Sequence, residues 1–171
     1  MKKIEITAFE LAQRFIGIKE IGGKVANPQI LAMLQLDNEW PQDDSVPWCG
    51  AFCNYVCWLL RLPRSKSLLA RSWLTVGSSV IMEEAELGFT VVILKRDGNS
   101  EPGPEVIDAP GHVGFFAGLE SVTEYVRPGA GMAAMPQTRK TILVLGGNQN
   151  DSVNVSRFPV ERVLGVRVLY G

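Results

Sequence analysis

The sequence predicts an α+β domain, with helices in the first half and a mostly antiparallel sheet in the second. Three observations carry this. Apolar residues recur at helical spacing up to about residue 80. From residue 89 the pattern changes to short β-branched runs separated by turn residues. The chain has 171 residues, 46% of them hydrophobic and 20% charged, which suits one domain with a proper core. Residues 1-171 are therefore read as a single domain, with a helical part over about 1-80 and a sheet part over about 89-171.

The first helix is expected over 8-18, where Phe9, Leu11, Ala12, Phe15 and Ile16 follow helix spacing and Thr7 can cap. It should stop before 21-IGGK-24. A second begins at 27-NP-28, with Asn27 as cap and Pro28 in the first helical position. The segment 40-WPQDDSVP-47 reads as a loop. A third helix runs from about Trp48 to Leu60 and ends before Pro63; a shorter one is expected in 68-80. Strands are expected at 89-96, 112-118, 121-127, 141-147, 152-158 and 163-169. The Gly- and Pro-rich stretch 97-111 is a surface loop, and 128-140 reads as a hairpin extension or a mobile loop.

Composition excludes several classes. The formal net charge is −1, so no basic field argues for nucleic acid or an anionic membrane. No run approaches a membrane span. The two N-terminal lysines have no apolar stretch behind them, so no signal peptide is expected. The reading is a chain made in the cytoplasm, whose work outside would need lysis or a dedicated export route.

All three cysteines lie in 47-PWCGAFCNYVCWLL-60, spaced by four. Cys49 and Cys57 are separated by about 12 Å of helix rise, too far for one tetrahedral zinc. With parallel side-chain vectors, a disulfide within the helix is a poor fit. No metal and no cofactor is expected. Phe52, Cys53, Val56, Cys57 and Leu60 form one apolar stripe, so Cys53 and Cys57 read as core. Cys49 differs, because it stands in the first helical turn. Unpaired amides and the positive end of the helix dipole stabilise a thiolate there, and those amides can also hold an oxyanion. Gly50 beside it leaves room for a substrate backbone. Reactive and inert readings of Cys49 both stand on these grounds.

The single histidine, His112, opens the strand 112-118. It is either an ordinary surface residue or, if the sheet lays it against the helix mouth, the base that takes the thiol proton. A third polar group should then orient the ring. Candidates lie in 144-VLGGNQNDSV-153, where Asn148 reads equally as that group or as a turn residue.

Four motifs in order, PWCGAF, 67-SLLARSW-73, GHVGFF and 146-GGNQ-149, resemble those of cell-wall cysteine peptidases of the NlpC and CHAP type. Gly17, Glu20 and 27-NP-28 fit the same phage and bacterial branch, so the resemblance covers most of the chain. It implies a papain-like α+β fold, in which the catalytic helix packs on an antiparallel sheet of about five to six strands. It implies an enzyme that hydrolyses an amide bond of peptidoglycan by a Cys thiolate/His mechanism through an acyl-enzyme. That makes it a cysteine endopeptidase or an N-acetylmuramoyl-L-alanine amidase, acting as a phage endolysin, virion-associated lysin or antibacterial effector. By position Cys49 is the nucleophile, His112 the base and Asn148 the orienting residue. Trp73, Arg71, Glu20 and Gln149 are candidates for binding substrate.

The sequence departs from the family at Gly146, where many members carry glutamate. In the loop just before the cysteine only Asp43 and Asp44 are acidic, too few oxygens for the calcium site of some members, and they read as a solvated loop. No wall-binding module is apparent, so a holin, tail or secretion partner would deliver the enzyme. Two other classes remain open: an inert module that binds wall or tail protein, and a cysteine peptidase or acyltransferase acting on protein.

Overall fold

The structure is a computed structural model and describes residues 5-22, 25-96 and 102-170. Residues 1-4, part of the 21-24 helix stop and residues 97-101 of the predicted loop lie outside the described residues. Among the described residues the architecture is mixed helix and strand: three short α-helices on a six-stranded antiparallel sheet. No helix among the described residues is long and apolar enough to cross a membrane.

Helix α1 spans Ala8–Gln13, shorter than the periodicity predicts. Thr7 and Glu10 cap its start reciprocally, the Thr7 hydroxyl accepting from the Glu10 amide and the Glu10 carboxylate accepting from the Thr7 amide. Helix α2, Pro28–Leu34, starts as expected, with the Asn27 side chain accepting from the Gln29 amide at 2.9 Å. Helix α3, Cys49–Leu59, buries Phe52, Cys53, Val56 and Cys57 completely, as the apolar stripe requires. The helix expected in 68-80 is instead a 3₁₀ turn, Ala70–Thr75, followed by a short strand β1, Ser78–Val80.

The remaining strands are β2 (Thr90–Lys95), β3 (Gly111–Val126), β4 (Met135–Gln149), β5 (Ser152–Pro159) and β6 (Val163–Val168). Their order in the sheet is β1-β6-β2-β3-β4-β5. The two strands expected at 112-118 and 121-127 are one. Gly118, at φ +137°, lies at a register shift in the pairing with β4 rather than at a break. The segment 128-140 is the far end of the β3–β4 hairpin.

Strand β2 is central and buried on both faces, which is why it reads as the unbroken apolar run TVVIL. Val91, Ile93, Val113, Phe115 and Leu145 pack against the helices. Val92, Leu94, Phe116, Ile142 and Val144 form a second cluster. Helix α3 lies across β3 and β4. Gly147 sets how close it comes: a Cβ there would stand 2.5 Å from the Trp48 ring and 2.8 Å from Phe52 Cβ. Gly50 serves packing too. A Cβ on it would meet the Leu68 carbonyl oxygen at 2.6 Å, so it makes room for the chain itself, not for the substrate backbone expected from the sequence.

Candidate active site

The site is built where β3 begins and β4 ends, beneath the mouth of α3. Cys49, His112, Asn148 and Gln149 line one groove of about 340 Å³. Cys49 comes from the helix layer and is 4% exposed. Its helix has no side-chain cap at Trp48, so the N-cap side chain does not occupy the first-turn amides. The backbone N–H groups of Gly50, Cys49 and Val113, the residue after His112, all pull the thiol pKa down. Burial opposes them and is the larger effect, so the pKa is raised above the ordinary value. The expectation of a thiolate favoured by the helix terminus is thereby corrected. The amides are in place, but desolvation outweighs them.

The helix mouth is clamped from the N-terminal side. The segment 17-20 runs beside the β4–β5 turn, with Gly17 N–H donating to Val153 O and Glu20 N–H to Asp151 O. From there the Glu20 carboxylate accepts from Trp48 Nε1 at 2.7 Å. Glu20 therefore acts on the residue before Cys49 and lines a different groove, formed with Ile18, Lys19 and Asn27. Its expected contact with substrate is replaced by this clamp. Asp44 is also not solvated as expected. It is buried and accepts from the Asn27 amide at 2.7 Å, whereas Asp43 stays exposed and accepts from the Ser45 amide.

His112 is partly buried, with its ring 5.5 Å from that of Phe158. Its Nε2 meets Gln149 Oε1 at 3.0 Å. The residue holding the ring is thus Gln149, not Asn148. Asn148 has φ +56° and is followed by Asn150 and Asp151, also left-handed, at a register shift between β4 and β5. This turn chemistry rotates Gln149 inward to 5% exposure. Gly146 completes the arrangement, since a Cβ there would lie 3.0 Å from His112 Nε2 and 3.2 Å from Gln149 Oε1. Where a glutamate would stand in the resembled family, the chain has space, and Gln149 fills it.

The Gln149 bonds fix the histidine tautomer. Its Nε2 donates to the Val144 and Asn154 carbonyls, so Oε1 can only accept. His112 Nε2 must then carry the hydrogen, which leaves the Nδ1 lone pair as the base. Burial, with smaller contributions from the Arg162 and Arg96 charges, lowers the His112 pKa to about 4 against the opposing pull of Gln149. Burial thus pushes both groups toward their uncharged forms, a thiol and an imidazole.

Arg71 and Trp73 do not line the groove. Both are fully buried. Arg71 donates to the carbonyls of Pro102, Gly103, Val106 and Pro110, pinning the loop that leads into β3 and hence into His112. A Cβ on Gly111 would meet Arg71 Cγ at 2.9 Å, so the glycine and the arginine fit as a pair. Trp73 is core, and its Nε1 has no hydrogen-bond partner among the described residues. Asn54 was missed in the sequence. It is buried on α3, donates to Ser67 O at 2.9 Å and accepts from the Lys66 amide, which ties the segment before the 3₁₀ turn to α3. A polar residue within the otherwise apolar and aromatic run 51-60 is the signal that could have found it. Among the described residues no group of three or more His, Cys, Asp or Glu side chains could hold a metal ion.

Comparison of the chain with family models, with curated proteins and with solved structures found no match.

Proposed function

We propose that this protein is a papain-like cysteine hydrolase that cuts an amide bond of peptidoglycan through an acyl-enzyme. The observation that carries the chemistry is the shared groove of Cys49 and His112, with Gln149 holding the ring so that Nδ1 is the free base. The choice of peptidoglycan rests on the four-motif resemblance. The bond is in a stem or cross-bridge peptide, or joins muramic acid to L-alanine. Delivery to the wall by a holin, tail or secretion partner belongs to the same reading.

Burial that biases both groups toward their uncharged forms favours general-base attack over a preformed ion pair. Nδ1 of His112 takes the thiol proton as sulfur bonds to the carbonyl carbon. The oxyanion is held by first-turn amides of α3. The C–N bond then breaks, and the imidazolium returns its proton to the leaving amine. Water, deprotonated by the same Nδ1, hydrolyses the thioester and regenerates the thiol.

Cys49→Ala and His112→Ala should each abolish wall lysis while melting near the wild-type temperature. Lysis retained by either folded variant overturns the assignment, and mass spectrometry of digested muropeptides names the bond. The raised Cys49 pKa favours one alternative, an inert module that only binds wall or tail protein. In that case no muropeptide is cut and iodoacetamide labels Cys49 no faster than a model thiol.

A further inference from the structure

The groove that holds Cys49 and His112 is also lined by Arg96, Arg157 and Arg162, and by no acidic residue among those described. The whole chain carries a formal charge of −1, so this concentration of positive charge is local. Arg162 is the most firmly placed of the three. Its Nε and Nη2 donate to the Lys95 carbonyl at 3.0 and 2.8 Å, and Nη2 also donates to the Arg96 carbonyl. Its guanidinium sits over the Phe158 ring, 5.1 Å from the centroid, and the same ring lies beside His112. Guanidinium, phenyl and imidazole thus succeed one another along the groove wall. These bonds leave Nη1 to donate to a ligand. Arg157 is tied at 2.6 Å to Glu120, outside the groove lining, and is half exposed.

We infer that the groove selects substrates bearing a carboxylate next to the amide to be cut, and that Arg162 is the specificity-determining residue that holds that carboxylate. The inference rests on the hydrolase reading above and names its substrate class, an acidic stem peptide. Held guanidinium geometry suits a carboxylate, because little side-chain freedom is left to lose on binding. A groove with charge of one sign also raises the local concentration of the opposite sign. Gln149 fits the same design, since a neutral orienting residue beside His112 adds no negative charge to repel an anionic substrate.

Two measurements test this. The first needs no substrate: Cys49 is alkylated with anionic iodoacetate or neutral iodoacetamide, and its adduct is located by peptide mass spectrometry. The iodoacetate-to-iodoacetamide rate ratio at Cys49 should exceed that of glutathione by about tenfold at low salt and fall as salt rises. Arg162→Gln should bring the ratio severalfold closer to that of glutathione, and Arg162→Lys should retain part of it. A wild-type ratio no higher than glutathione's, or one insensitive to salt, overturns the inference without any variant needing to fold. The second measurement compares kcat/KM for muropeptides that differ only in a carboxylate or a carboxamide beside the scissile bond. The acid should be preferred about tenfold, and Arg162→Gln should pull the preference toward one. If no muropeptide is cut while the alkylation ratio behaves as stated, the peptidoglycan reading fails and the carboxylate-selective groove stands.

Discussion

The two ends of the β3–β4 ladder follow the same pairing rule and have opposite fates. Near the site, Val113, Phe115, Val144 and Leu145 are fully buried, and the strand ends present His112 and Gln149. Beyond Ser121 the pairing continues to Val126↔Met135, yet the side chains there are mostly exposed, Tyr125 to 74%. Backbone hydrogen bonds alone therefore do not distinguish a scaffold from an appendage. What distinguishes them is a second layer, and α3 covers only the first end. An unsupported two-stranded ribbon is marginal by itself and relies on cross-strand pairs such as the Thr123–Thr138 hydroxyl contact.

Gly147→Ala attacks the covered end most directly, because its new Cβ must displace Trp48 and Phe52. Overpacking of this kind costs up to ~3 kcal/mol. Thermal melting should fall by roughly 6–12 °C, and an unchanged melting temperature would show that α3 is not held as described.

Acid acts on the same end through His112. An unfolded histidine titrates near 6.5, while the folded one is pushed down to about 4. Between those values the unfolded chain binds more protons. Stability is therefore full above about pH 6.5 and is lost as pH falls toward 4, by at most ~3 kcal/mol. Melting curves of wild type and His112→Asn across that range should diverge, with the variant lacking this part of the slope. In the proposed mechanism the same shift keeps His112 unprotonated, so the acid limb of that activity should lie near 4 rather than 6.5.

Gln149→Ala leaves the layers intact and frees the histidine tautomer. A loss of about 10² in kcat is expected, equivalent to ~2.7 kcal/mol in the barrier. Asn148→Ala should do much less, and the reverse ranking would return the orienting role to Asn148. The smallest effect belongs to the uncovered end. Joining Val122 to Arg139 through an Asn-Gly turn removes the distal ribbon and should change stability by less than ~1 kcal/mol. A large loss in melting would mean that the ribbon supports the site after all.

What could be read in advance was local. The Asn27 cap, the apolar stripe of α3, the separation of Cys49 from Cys53 and Cys57, and the positions of most strands follow from spacing within a few residues. The misreadings depend on distant chain. Asn148 takes the orienting role only by position in the resembled motif, and a motif does not show three left-handed residues and a register shift that turn Gln149 inward. The helix amides at Cys49 follow from its place in the first turn, but the burial that outweighs them is imposed by the rest of the fold. Gly50 reads as an opening and 112-118 and 121-127 as two strands, yet Gly50 fits against Leu68 and one strand runs on through Gly118. Arg71 looked like a groove residue because its partners lie 31 to 39 positions away.

Arg71 also bears on how such a site is transplanted. Copying Cys49, His112 and Gln149 onto another scaffold would reproduce the proposed reacting atoms and omit what sets the histidine's address. A buried cation that gathers the carbonyls of one loop is the foundation of the strand that follows it. A minimal graft therefore has four parts, and the fourth never touches the chemistry.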